Sequence, residues 1–118
     1  MNCTTLIVIV ETMEPHLRPR YRLAMHHAAA NKLRQHPELL GKIKDNLEKA
    51  RARALPDQLA VVKEWEKIID HGQDVFIAAA VEEGQHADDR RAVGLISGIL
   101  TTAERMQLIR RLRDGDAQ

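Results

Sequence analysis

The stretch PELLGKIKDNLEKARARA, residues 37–54, decides the fold. At 100° per residue, Leu39, Leu40, Ile43, Leu47, Ala50 and Ala54 fall within about 100° of arc, the width of a helical stripe facing a core. Lys42, Lys49 and Arg53 line one flank of that stripe, and Lys44 and Arg51 line the other. Asp45 and Lys49 stand four residues apart in the favourable order, worth a few tenths of a kcal/mol. Pro37 closes the preceding helix and opens this one, because the first turn of a helix has no use for the N–H that proline lacks.

Working outward, residues 21–36 are rich in Ala, Leu, Met, Lys and Arg, good helix formers. Tyr21, Ala24, Met25 and Ala28 share one side of that helix, and Leu23, Ala30 and Leu33 another, so it is expected to be central. Residues 56–71 form a third helix with Leu59, Val62, Trp65 and Ile69 inward and Gly72 beyond its end. Val61 and Ile68 widen its face enough for two neighbours. Asp74 is expected to cap a fourth helix over 75–83, apolar all round at its centre and therefore buried. Residues 85–89 read as a polar link leading to a short helical turn. Gly94, Ser97 and Gly98 break the pattern. Thr101 and Glu104 have the spacing of a capping box, followed by a last helix with Met106, Ile109 and Leu112 inward. Arg110, Arg111 and Arg113 complement its C-terminal dipole, and residues 114–118 are expected to fray. The prediction is an all-α, compact bundle of five or six short helices, one domain over 13–113. Residues 1–12 are peripheral, with the apolar run 6–10 (LIVIV) as a short strand or an arm.

One domain also follows from 118 residues. Aromatics are only 3%, so aliphatic side chains must fill the core. No apolar run approaches the roughly 20 residues that cross a bilayer. The single cysteine, Cys3, excludes an internal disulfide framework. No base precedes the run 6–10 and Glu11 follows it, which does not read as a secretory leader. A cytoplasmic protein is expected.

The net charge of +1 hides a segregation: residues 15–54 carry +7, residues 55–89 carry −7 and residues 90–118 carry +3. Basic and acidic helices packed side by side would neutralise one another. Alternatively, the basic region contacts nucleic acid through Arg18, Arg20, Arg22, Lys32, Arg34, Lys42, Lys49 and Arg53. On residues 19–36 the bases scatter around the helix axis, and on 37–54 they flank the apolar stripe. A groove-reading helix would concentrate them on one face.

No catalytic constellation emerges. None of the six histidines stands four residues from another, the spacing of a helical zinc site. Glu83 and His86 have the Glu-x-x-His spacing of a di-iron carboxylate site, but no second such pair exists. Ser97 lacks the nucleophile elbow, because Leu95 stands where a glycine is needed. No phosphate-cradling glycine loop is present, and the acidic pairs Glu82–Glu83 and Asp88–Asp89 read as solvated neighbours. The expectation is no enzyme, no metal and no cofactor.

One pattern remains: His36-Pro37-Glu38-Leu39-Leu40, then Asn46-Leu47-Glu48-Lys49-Ala50-Arg51, Val62-Lys63-Glu64-Trp65, Ile69, Gly72, Arg90-Arg91, Gly98-Ile99-Leu100-Thr101 and Glu104-Arg105. Over residues 23–113 this resembles a group of small all-helical bacterial proteins, or C-terminal modules of helix-turn-helix proteins, encoded in toxin–antitoxin-like gene pairs. Where that group reads Pro-Phe-x-Gly-x-Leu before its last helix, this chain has Ile96-Ser97 in place of Pro-Phe. The resemblance implies an antitoxin-type role, binding and masking a toxin-like partner protein, with possible contact to operator DNA. The candidate partner-binding residues are Trp65, Glu82, Glu83, Asp88, Asp89, Arg90 and Arg91. A homodimer would ease the burial of a helix apolar on two sides.

Overall fold

Pro37 breaks the chain as its ring dictates. The His36 amide still bonds the Lys32 carbonyl at 2.8 Å, and Leu39 then bonds back to His36 at 3.0 Å in a 3₁₀ turn, Pro37–Leu39. In the computed structural model, which describes residues 17–116, this turn separates α1 (Leu17–Gln35) from α2 (Leu40–Arg53). There follow α3 (Leu59–Asp70), α4 (Gln73–Ala80), α5 (Gln85–Arg91) and α6 (Thr102–Asp116). The chain is all-α, and among the described residues there is no strand. The apolar run 6–10 lies outside the described residues.

The stripe of residues 37–54 faces the core as its spacing predicts. Ile43, Leu47 and Ala50 are buried, and Leu39, Leu40 and Ala54 are half-buried against the same cluster. They meet Ala29, Ala30 and Leu33 of α1, Val62, Trp65 and Ile69 of α3, and Phe76, Ile77 and Ala80 of α4. Each large apolar side chain so enclosed contributes about 1.5–3 kcal/mol. The Trp65 and Phe76 rings pack tilted, with centroids 5.5 Å apart, a geometry their quadrupoles favour. A second cluster joins Tyr21 of α1 to Met106 and Ile109 of α6, and Met25 touches both clusters. α1 is therefore the central helix, packing on α4, α5, α6 and the 3₁₀ turn.

Four expectations need correction. Residues 85–89 are not a link but part of α5, which enters through Gly84 at φ +121°. α4 begins at Gln73 after Gly72 (φ +105°), so Asp74 sits within its first turn and not at the cap. Its apolar centre is not enclosed all round: Phe76, Ile77 and Ala80 are buried, whereas Val75 is 43% exposed and Ala78 is exposed. The neighbours α1, α3 and α5 do not surround it. Finally, α4 ends at Ala80, where the fourth helix was expected to run to residue 83.

The crossing from α5 to α6, residues 92–100, turns at Gly94 and Gly98, both near φ +80°. Leu95, Ile96 and Ile99 plug it into the main core. Asn46 of α2 fastens it by donating its amide to the carbonyls of Leu95 and Ser97, each at 2.8 Å. The capping box then starts α6. Thr101 N donates to Glu104 Oε1 at 2.8 Å, and Glu104 N donates to Thr101 Oγ1 at 3.1 Å.

Candidate partner-docking site

α5 is short and polar, with only Ala87 among its apolar residues buried. What holds it is the adjacent pair Arg90 and Arg91, whose side chains are almost wholly enclosed. The Arg90 guanidinium donates to Glu64 Oε1 at 3.0 Å, to Glu82 Oε2 at 2.7 Å and to the Ala79 carbonyl at 3.1 Å. Its Cζ lies 5.5 Å from the centroid of the Trp65 ring. Arg91 donates to the Ala80 carbonyl at 3.2 Å, to the Glu82 carbonyl and to Asp88 Oδ1. The two arginines thus cap the C-terminal end of α4, where carbonyls lack intrahelical partners and the helix dipole favours cations.

The electrostatics follow from that geometry. Partial burial pushes the Glu64 carboxyl up, but hydrogen bonds from His86 and Arg90, reinforced by charge, bring it below the usual carboxylate range. Arg90 hydrogen-bonds and charge lower Glu82 as well. Burial works against the charge on Arg90, and the Glu82 and Glu64 hydrogen bonds overcome it and raise its pKa. His86 donates to Glu64 at 2.9 Å and does not pair with Glu83, so the Glu-x-x-His spacing organises no site. Among the described residues, no three His, Cys, Asp or Glu side chains converge as a metal site would require.

This reassigns most of the expected partner-facing residues. Trp65, Arg90 and Arg91 are buried, so they form no outer surface. Glu82 and Asp88 belong to the same network through Arg90 and Arg91. Glu83 and Asp89 remain exposed. The basic set does not assemble either. Lys32 is paired with Glu104 at 2.9 Å, and Arg34 donates to Asn31 at 2.6 Å. Arg18 and Arg20 have partners of their own. Lys42 lies against Gly98, Arg22 and Arg53 line two different clefts, and Lys49 is exposed.

The cleft at Arg53 is the feature that sequence reasoning missed. It has a volume of about 320 Å³ between the C-terminal end of α2, the start of α3 and the residues after α5. Its apolar lining comes from Ala50, Ala54, Val61, Val62, Ala92 and Val93, and its charged lining from Arg53, Asp57 and Asp89. In the α2–α3 joint, Leu55 is 61% exposed, and Leu59, expected inside, is 37% exposed. The joint is fixed: the Leu55 amide donates to Gln58 Oε1 at 3.1 Å, and the Gln58 amide bonds the Leu55 carbonyl at 2.8 Å. Small side chains make the cleft, and alanine positions carry no sequence signal that separates a groove from a tight helix contact.

No helix of the described residues is long and apolar enough to cross a membrane. No protein-family model, curated protein or solved structure matches the chain.

Proposed function

We propose that this protein is a non-enzymatic interaction protein that binds and masks a basic partner protein, the antitoxin-like role implied by its resemblance. The observation that carries the reading is the cleft beside Leu55. An apolar floor of small residues, a fixed joint holding out a large aliphatic side chain, and a rim with Asp57 and Asp89 suit an amphipathic helix with a basic flank. Of the nine acids in residues 55–89, Glu64, Glu66, Glu82 and Asp88 are engaged by Arg90, Arg51 and Arg91. Asp57, Asp70, Asp74, Glu83 and Asp89 stay on the surface and give the partner's cations a complement. A cytoplasmic location belongs to the same proposal and rests on the single cysteine, which offers no internal disulfide.

The test is co-expression with the product of the adjacent gene. The two proteins are expected to co-purify, the neighbour to be toxic alone and this chain to relieve the toxicity. Leu55→Asp, at an exposed position, is expected to abolish both effects while the chain stays folded. A harmless neighbour that does not co-purify overturns the reading. So does a concentration-dependent homodimer that Leu55→Asp dissolves, which would seat a second copy in the cleft, or operator DNA binding that replaces partner binding.

A further inference from the structure

A second cleft, of about 210 Å³, lies between α1, the C-terminal end of α5, the crossing 92–100 and α6. Arg22 and His26 face it from α1, Arg91 from α5, Arg105 from α6, and Ser97 and Gly98 from the crossing. No carboxylate lines it among the described residues. The Lys42 side chain reaches Gly98 from α2 and adds a further cation near its edge.

Arg90 and Arg91 are matched by carboxylates, Arg90 by Glu64 and Glu82 and Arg91 by Asp88. Arg22 and Arg105 are not. Neither the Arg22 nor the Arg105 guanidinium has a hydrogen-bond acceptor or an anionic partner among the described residues. The Nε atoms of Arg105 and of Arg91, whose side chain is 1% exposed, are buried without an acceptor. His26 donates Nδ1–H to the Arg22 carbonyl at 2.7 Å, which fixes the tautomer and leaves Nε2 unprotonated in the neutral ring. Burial, with the charges of Arg91 and Arg22 and of neighbouring His27, holds its pKa down to about 4. The cleft is a concavity lined by two arginines without a counter-charge among the described residues and by Arg91, which Asp88 answers, beside an apolar wall of Met25, Ala92, Ile96 and Leu100.

We propose that this cleft binds the phosphoryl group of a small ligand. Arginine side chains line it from three helices, with Nε as the uncommitted donor of Arg91, so an anion with oxygens in several directions meets them better than a planar carboxylate. The size admits one such group with a small substituent. Arg18, Arg20 and Arg34 do not line the cleft, and a concavity suits a single anionic group better than an extended nucleic-acid backbone, which needs a run of cations. The site adjoins the docking cleft only through Ala92, which lines both, and it does not depend on that reading.

Inorganic phosphate, titrated into the nitrogen-15-labelled full chain at constant ionic strength and neutral pH, tests the assignment by two-dimensional NMR. Saturable shifts are expected at Gly94, Ser97, Gly98 and His26. Arg22→Gln and Arg105→Gln are each expected to weaken phosphate by about tenfold or more, the cost of one charge-assisted hydrogen bond. Among the described residues neither side chain holds the fold through a hydrogen bond, and unchanged thermal unfolding confirms that each variant is folded. Arg110→Gln, on the exposed side of α6, is expected to bind as the wild type does. Non-saturating shifts scattered over surface lysines and arginines overturn the proposal, as does equal affinity in the two cleft variants. Acetate binding as tightly at the same residues overturns the phosphoryl assignment. A short DNA duplex that binds through Arg22 and Arg105 where phosphate does not saturate overturns the small-ligand assignment.

Discussion

The indole Nε1 of Trp65 donates to the main-chain carbonyl of Arg90 at 2.9 Å, while the guanidinium of the same arginine packs over the same indole. One side chain thus satisfies a buried carbonyl near the end of α5 and stabilises the cation that caps α4. Losing either contact loosens α3, α4 and α5 together.

Trp65→Phe is the sharpest test of that arrangement. Phenylalanine keeps an aromatic face toward Arg90 and Phe76, but it removes the indole donor from the Arg90 carbonyl, which then keeps only the longer bond from the Val93 amide at 3.3 Å, and it leaves space in the core. The loss of one buried hydrogen bond costs about 0.5–1.5 kcal/mol, and the lost ring volume adds to it. The expected destabilisation is about 1–3 kcal/mol, read by urea unfolding with circular dichroism because the chain has no other tryptophan. A loss below about 0.5 kcal/mol, the range of ordinary surface substitutions, would show that the Val93 amide alone satisfies the Arg90 carbonyl and that the indole bond contributes nothing.

The same residues show what the sequence carries and what it does not. The stripe at Ile43, Leu47 and Ala50 was legible because each position repeats a helical period within one segment. The capping box of Thr101 and Glu104 was legible because its partners are three residues apart. α5 was not, since it buries a single alanine and owes its place to guanidinium bonds with Glu64 and with the carbonyls of Ala79 and Ala80, 11 to 26 residues away. No local pattern announces such a partner. For the same reason Arg90 and Arg91, adjacent charges in a polar stretch, suggested a surface and prove to be interior. Of the candidate site, Asp89 was legible as an exposed acid. The floor of its cleft was not, because Ala50, Ala54 and Ala92 look alike whether they line a groove or a helix contact.

Stability is expected to fall with pH in two separable windows. His26 is 2% exposed and its folded pKa is about 4, against an ordinary 6.5. Between those values the unfolded chain binds a proton that the folded chain refuses. The contribution is therefore complete above pH 6.5 and is lost as the pH falls to about 4, in all about 3 kcal/mol. Glu64, Glu82 and Glu104 have lowered folded pKa values. Their contribution is present above the ordinary carboxylate value of 4.5 and is lost only below it, in a step kept small by their exposure to solvent. Thermal melts across this range should show the upper window vanish in His26→Gln while the lower one persists. An unchanged upper window in that variant would move the effect to another histidine.

Gly98 offers a test in which backbone and side-chain effects separate. Its φ is +81°, and an added Cβ would fall 2.9 Å from Lys42 Cε and 3.3 Å from Lys42 Nζ. The lysine end is flexible and can swing away, so the contact itself is cheap. The left-handed backbone conformation is not, and costs an L-residue about 1–2 kcal/mol. Gly98→Ala is therefore expected to destabilise the protein by about that amount in urea unfolding. Adding Lys42→Ala should restore little of it, since the double variant removes the neighbour and leaves the φ angle unchanged. Full recovery in the double variant would place the cost in the Lys42 contact and free the crossing at Gly98 to relax.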